Sequence, residues 1–246
     1  MKKQAGDLVK SLFSSFGLFL ARQFPGGVNG YRLNFDLRVI VPQSNPVCFD
    51  IGANRGQTIE LLQECFVQPK IYAFEPASAT YSILTGQNFG PEVSFYRLAL
   101  GDKVGTLEFH NYKQSELSSF LPVHPDEKEN IFAKEELISM ETVSVDTLDH
   151  FCSVHGIEHI DLLKIDTQGY ELPVLRGGNK MFTDEKIGAV LLELNFSTLY
   201  EGQSDPLEVI QLLRSYGMRL VDLYEKERMR GKELSWTTAL FIRYKS

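Results

Sequence analysis

The chain has 246 residues, 43% of them hydrophobic, and a formal net charge of -7 at pH 7. That length fits one decorated α/β domain and leaves two full domains cramped. The acidic balance argues against a nucleic-acid backbone as the main partner, since that needs a basic face. Cys48, Cys65 and Cys152 lie far apart, are odd in number and show no zinc or redox spacing. They read as reduced core residues of a cytoplasmic protein.

Residues 8–22 place Leu8, Val9, Leu12, Phe13, Phe16, Phe19 and Leu20 on one helical face. The stretch is too short for a transmembrane span, and it lacks the cleavage site of a signal peptide. It is expected to pack on the domain, with a peripheral membrane contact as the alternative. Residues 31–41 alternate enough to predict a strand or hairpin. Residues 1–45 thus form an N-terminal helix and lead-in strands ahead of a domain over 46–246.

From residue 46 the pattern alternates strand and helix. Residues 47–51, 70–74, 93–100, 160–165 and 187–194 are short apolar runs of the buried parallel type. Helices are expected at 57–66, 77–88, 146–156, 169–180 and 205–217, which makes right-handed βαβ units. Strands at 106–110 and 141–145 flank a polar insertion at about 121–138, either a solvated surface loop or a lid over the site. Residues 219–224 and 237–242 are the last strands, joined by a charged connection without a helix.

The central stretch is PVCFDIGANRG, residues 46–56. Asp50 ends a strand there, and Gly52, Asn54 and Gly56 form the turn that opens a helix. An acid at that turn suits a ligand with a cationic amino group and repels a pyrophosphate. In open α/β sheets ligands bind where loops leave the carboxyl ends of the strands. Glu75, after the second strand, stands where a ribose diol is gripped. Asp102 could meet an adenine amino group or make an ordinary turn. Asp166 and Glu193 end later strands. With Asn195 they form a hard-oxygen set compatible with magnesium, although the spacing does not demand a divalent metal. Lys164 most simply makes an internal ion pair. The five histidines show no ligand pattern.

FDIGANRG, followed by AFEP at 73–76 and DLLKIDTQGYELPVLRGG at 161–178, resembles the FkbM family of S-adenosylmethionine-dependent methyltransferases. The resemblance spans residues 47–244. It implies a class I methyltransferase fold, Rossmann-like, with a seven-stranded sheet, mostly parallel with the last strand antiparallel, and helices on both faces. It also implies S-adenosylmethionine as cofactor and methyl transfer to a hydroxyl on a saccharide or natural product. Asp50, Gly52, Asn54, Gly56 and Glu75 match the cofactor motifs. Ser118 and Ser119 resemble a serine pair that lines the cofactor pocket. Lys164, Asp166, Gly169 and Glu171 match the KID-x-x-G-x-E signature, with Asp166 and Glu171 as catalytic candidates. Gln168 stands where the signature often has a glutamate, and so takes no charged role. The rivals are a nucleotide-dependent oxidoreductase, against which the turn is not G-x-G-x-x-G, and a non-catalytic cofactor-binding module.

Overall fold

The computed structural model describes residues 27–128 and 130–244. The helix expected at 8–22 lies outside them. A seven-stranded sheet carries the domain. In chain order its strands are β1 (Val47–Ile51), β2 (Lys70–Phe74), β3 (Val93–Tyr96), β7 (Ile160–Ile165), β8 (Ile187–Asn195), β9 (Met218–Met229) and β10 (Glu233–Arg243). Their spatial order is β3-β2-β1-β7-β8-β10-β9, and β10 alone runs against its neighbours. A smaller sheet is formed by β4 (Ala99–Leu100), β5 (Gly105–Tyr112) and β6 (Leu137–Asp146).

Alternation along the strands sends side chains to two cores. On one face Cys48, Ile71 and Leu162 meet α1 (Leu33–Ile40), α2 (Gln57–Cys65) and α3 (Ser78–Thr85). On the other, Phe49, Phe74, Leu163 and Ile165 meet α4 (Leu148–His155), α5 (Glu171–Gly177), α6 (Asn179–Thr183) and α7 (Pro206–Ser215). A strand buried on both faces must be apolar at every position. The polar residues that interrupt β1 and β7 near their carboxyl ends therefore need a specific partner.

Several expected elements take another form. Residues 31–41 are not a strand or hairpin: α1 is a helix. Its apolar residues satisfy both periods, and tertiary contacts decide between them. Asp36 is fully buried and accepts hydrogen bonds from the backbone N–H groups of Asn29 and Gly30, each at 2.8 Å. It also accepts one from the Tyr224 hydroxyl on β9 at 2.8 Å. The run at 93–100 divides between two sheets. Glu75 N–H makes the last bond to Tyr96 O, and Pro76 offers no further donor. Ala99 and Leu100 then pair with Val145 and Asp146 instead. The helix at 169–180 breaks at Gly178, because the Asp149 carboxylate accepts from Lys180 N and Met181 N and starts α6 afresh. Most of the connection at 225–233 is strand, since β9 and β10 extend into a long hairpin.

The polar segment 122–136 is tied to the domain. Asn130 is buried, and its amide donates to Leu199 O and His124 O, each at 2.9 Å. Its Oδ1 accepts from Phe132 N at 2.8 Å.

Asp36 fastens α1 to β9 through a buried network. Asp36→Ala is expected to cost about 2–4 kcal/mol of unfolding free energy, and Tyr224→Phe about 1 kcal/mol. Urea titration measures both, and an Asp36→Ala protein within 0.5 kcal/mol of the parent (on the order of a surface substitution) would show that the tie does not hold the helix.

Candidate active site

A cavity of about 400 Å³ opens at the carboxyl ends of the parallel strands. Its polar wall includes Gly52, Asn54, Glu75, Asp166, Gln168 and Glu193. Phe74, Leu98, Leu100 and Phe109 give one end an apolar lining. This is where ligands bind in open α/β sheets.

Beneath the wall, parallel pairing sets Asp50 of β1 beside Lys164 of β7. Lys164 Nζ lies 2.9 Å from Asp50 Oδ1 and donates to Gly52 O at 2.9 Å. Asp166 Oδ2 is 3.8 Å away. Burial alone would lower the ammonium's pKa, but the Asp50 and Asp166 carboxylates outweigh it and raise it. Lys164 thus makes the internal ion pair expected of it. Asp50 is fully buried and is not part of the cavity lining, so it acts on the loop through Lys164.

Gly52 has φ +79°, and a Cβ there would come within 1.9 Å of Asp166 O. Only glycine allows the loop after β1 to lie against the end of β7. Gly56, φ +95°, is equally constrained: its Cβ would meet the Phe89 ring at 2.4 Å. Both glycines are required by the protein's own packing, and Gly52 also lines the cavity.

Glu75 follows β2 and is 5% exposed. Its Oε2 accepts from Asn54 N and its Oε1 from Ala77 N, each at 2.9 Å. Burial raises its carboxyl to about 7 against the pull of these N–H groups. Each oxygen keeps a lone pair for a further donor.

Gln168, at φ +53°, is the hub of the opposite wall. Its Nε2 donates to Asp166 Oδ1 at 2.6 Å and reaches Glu193 Oε1 at 3.4 Å. Its Oε1 accepts from the Tyr200 hydroxyl at 2.8 Å. Burial, then the Asp166 and Glu171 charges, push Glu193 well above the usual carboxylate range. Glu171 is buried outside the lining, and its Oε1 accepts from Thr167 N, Thr167 Oγ1 and Gly169 N at 3.1–3.2 Å. It shapes the loop that presents Asp166. Burial raises it to about 7.

The structure therefore gathers Gly52, Asn54, Glu75, Asp166 and Glu193 at one cavity. Ser118 lines it, whereas Ser119 is buried behind and donates to Gln168 O at 2.8 Å. Asp102 is exposed and outside the lining. Asn195 is buried, also outside the lining. Among the described residues no three His, Cys, Asp or Glu side chains are grouped to hold a metal ion. Sequence reasoning passed over Gln168 as a hub, although it lies inside the signature. It also passed over Phe132 and Trp236, which reach the cavity from distant segments and carry no local signal.

Residues 50–220 match the family described as the Methyltransferase FkbM domain. The 2-O-methyltransferase NoeI of Sinorhizobium fredii is 26% identical over 210 residues, covering 79% of this chain and 84% of that protein. The methyltransferase sdnD of Sordaria araneosa is 32% identical over 162 residues, 54% of this chain and 61% of that protein. Among solved structures, the magnesium protoporphyrin IX methyltransferase of Synechocystis with bound SAM is similar at a TM-score of 0.46. It is 9% identical and is matched over 99% of this chain and 80% of that one.

Glu75 and Glu171 make stability depend on pH. Unfolded, both ionise near 4.5; folded and free of ligand, both hold their protons to about 7. Unfolding therefore releases protons between those values, and stability falls as pH rises from 4.5 through 7. The fall should be on the order of 3 kcal/mol per carboxyl. Urea midpoints across that range measure it. Glu75→Gln with Glu171→Gln should reduce the slope, with Asp50 and Glu193 keeping their own share, and an unchanged slope would place the titration elsewhere.

Proposed function

The chain belongs to the FkbM methyltransferase family, and on that basis we propose that it methylates a hydroxyl oxygen of a saccharide or natural product. As a methyltransferase of this family it uses S-adenosylmethionine. The observation that carries the reading is Glu75, a buried carboxylate at the carboxyl end of β2 with a lone pair left on each oxygen. It faces a cavity whose apolar end, Leu98, Leu100 and Phe109, suits a flat heterocycle. Glu75 would accept the ribose hydroxyls, and the loop at Gly52–Asn54 would lie along the cofactor's amino-acid end. The name of the Sinorhizobium relative, a 2-O-methyltransferase, supports oxygen as the acceptor atom.

A dinucleotide-dependent oxidoreductase fits less well. Asn54 N–H, at the loop where a pyrophosphate would need donors, is already taken by the Glu75 carboxylate. The net charge of -7 favours an acceptor other than nucleic acid. Three buried free cysteines support a reducing, cytoplasmic setting. No helix among the described residues is long and apolar enough to cross a membrane.

When bound, S-adenosylmethionine supplies a methyl group already activated on a sulfonium. The chain's own residues must align the acceptor hydroxyl and take its proton. Asp166 faces the cavity at the end of β7, beside Glu193 at the end of β8. The Gln168 amide holds the two together. Asp166 orients the hydroxyl, and the Asp166–Glu193 pair stands where it can receive the proton, burial and the neighbouring charges having raised Glu193 above the ordinary carboxylate range. Glu171 positions the Asp166 loop and does not touch substrate.

Two substitutions test the assignment. Glu75→Gln should weaken S-adenosylhomocysteine binding by about 10–100-fold in calorimetry, the difference expected when charge-assisted hydrogen bonds become neutral ones. Asp166→Asn should leave that affinity nearly intact and lower kcat by roughly 10²–10⁴-fold. Full turnover in Asp166→Asn removes Asp166 from the chemistry, and preference of the parent for a nicotinamide dinucleotide sinks the methyltransferase reading.

A further inference from the structure

The cavity extends well beyond Glu75. Four inter-strand spacings of roughly 4.8 Å separate β2 from β10, so it runs about 19 Å across the sheet. Trp236 lines its far side from the start of β10, which by running antiparallel begins at the carboxyl ends of the other strands. Register shifts in the β9–β10 pairing fall on both sides of Trp236, and such irregularities re-aim side chains next to functional sites. Phe132 comes from the polar segment above, held by the buried Asn130 through its backbone N–H. The two rings lie 5.8 Å apart, tilted by 44°, and both are half-buried.

Charge adds an independent constraint. Glu75, Glu116, Asp166 and Glu193 line this cavity. A second cavity of about 350 Å³ shares Lys164, Asp166 and Glu193 with it and adds Glu225. Among the described lining residues of both, Lys164 is the cation, and Asp50 and Gly52 O already engage it. A phosphate brought to the acceptor end would meet Asp166 and Glu193 in a weakly screened site, with Lys164 already engaged.

We infer that Trp236 and Phe132 form the acceptor platform, and that the acceptor is an uncharged saccharide ring rather than a sugar phosphate or nucleotide sugar. The inference rests on the methyltransferase reading above. Sugar C–H groups carry partial positive charge and lie against the negative faces of aromatic rings. A ring laid on this pair, beside β8, presents a hydroxyl towards Asp166 and Glu193, which accept but do not repel it.

Trp236 is the single tryptophan of the chain, so its fluorescence reports on the platform alone. Protein saturated with S-adenosylhomocysteine is titrated with methyl glycosides of neutral hexoses and deoxyhexoses, with N-acetylhexosamine oligomers, and with uridine diphosphate hexose as the anionic probe. The expected result is an emission shift with at least one neutral saccharide and none with the nucleotide sugar. By calorimetry Trp236→Ala should weaken that saccharide about tenfold, the worth of one good ring contact, and leave S-adenosylhomocysteine affinity unchanged. Phe132→Leu, read by Trp236 emission, gives a second measure should Trp236→Ala fold poorly. Cofactor binding with no response to any neutral saccharide, or with a response to the nucleotide sugar instead, overturns the inference and leaves the methyltransferase reading standing. Failure to bind S-adenosylhomocysteine overturns both.

Discussion

The site depends on one buried cation. Lys164 stands in the middle of the sheet, held by Asp50 on the neighbouring strand, and spends a second donor on the carbonyl of Gly52. Burying an ammonium is costly, and removing one partner of such a pair costs about 3–5 kcal/mol because the other charge is left stranded. The backbone ladder sets the spacing of β1 and β7, and that penalty keeps Lys164 between Asp50 and the Gly52 carbonyl at their ends. The missing Cβ of Gly52 then lets the loop settle against the Asp166 carbonyl. With the loop in place, Asn54 N–H reaches Glu75. The chain of dependence runs from an ion pair through a backbone approach to the group that would grip a ribose.

Five carboxylates, Asp50, Glu75, Asp166, Glu171 and Glu193, share this small volume, and their surroundings set them apart. Asp50 neutralises Lys164. Glu75 and Glu171 are held by backbone N–H groups, one at the cavity wall and one behind it. Asp166 and Glu193 face the cavity as a pair. Differences of this kind divide acid–base roles among chemically similar groups. Gln168 is central because its amide is neutral and donates to both members of the pair. A glutamate in its place would add a further negative charge to Asp166 and Glu193 and lose the donors that join them.

Among the described residues, three helices on one face and four on the other bury most of β1 and β7. By contrast, the far end of the cavity is assembled from the start of β10 and from a tethered polar segment. Loops on a fixed scaffold carry specificity, and this end of the cavity is built from such a loop.

The sequence by itself determined the parallel core strands, the glycine turn at 52–56 and the carboxylates at the strand ends. These are local signals: an apolar run, a turn that needs positive φ, an acid before a helix. Family resemblance added the cofactor and the signature around Asp166. The tertiary structure alone decided that residues 31–41 form a helix, because their apolar positions fit both periods and the partner that settles the choice is Tyr224, 188 residues away from Asp36. It alone separated Asp166 from Glu171, one facing the cavity and the other propping its loop, since two acids five residues apart look alike until burial and donors are assigned. Trp236 and Phe132 meet only because a reversed strand and a tethered loop end at the same place, and no pattern of period 2 or 3.6 records a contact made across the fold.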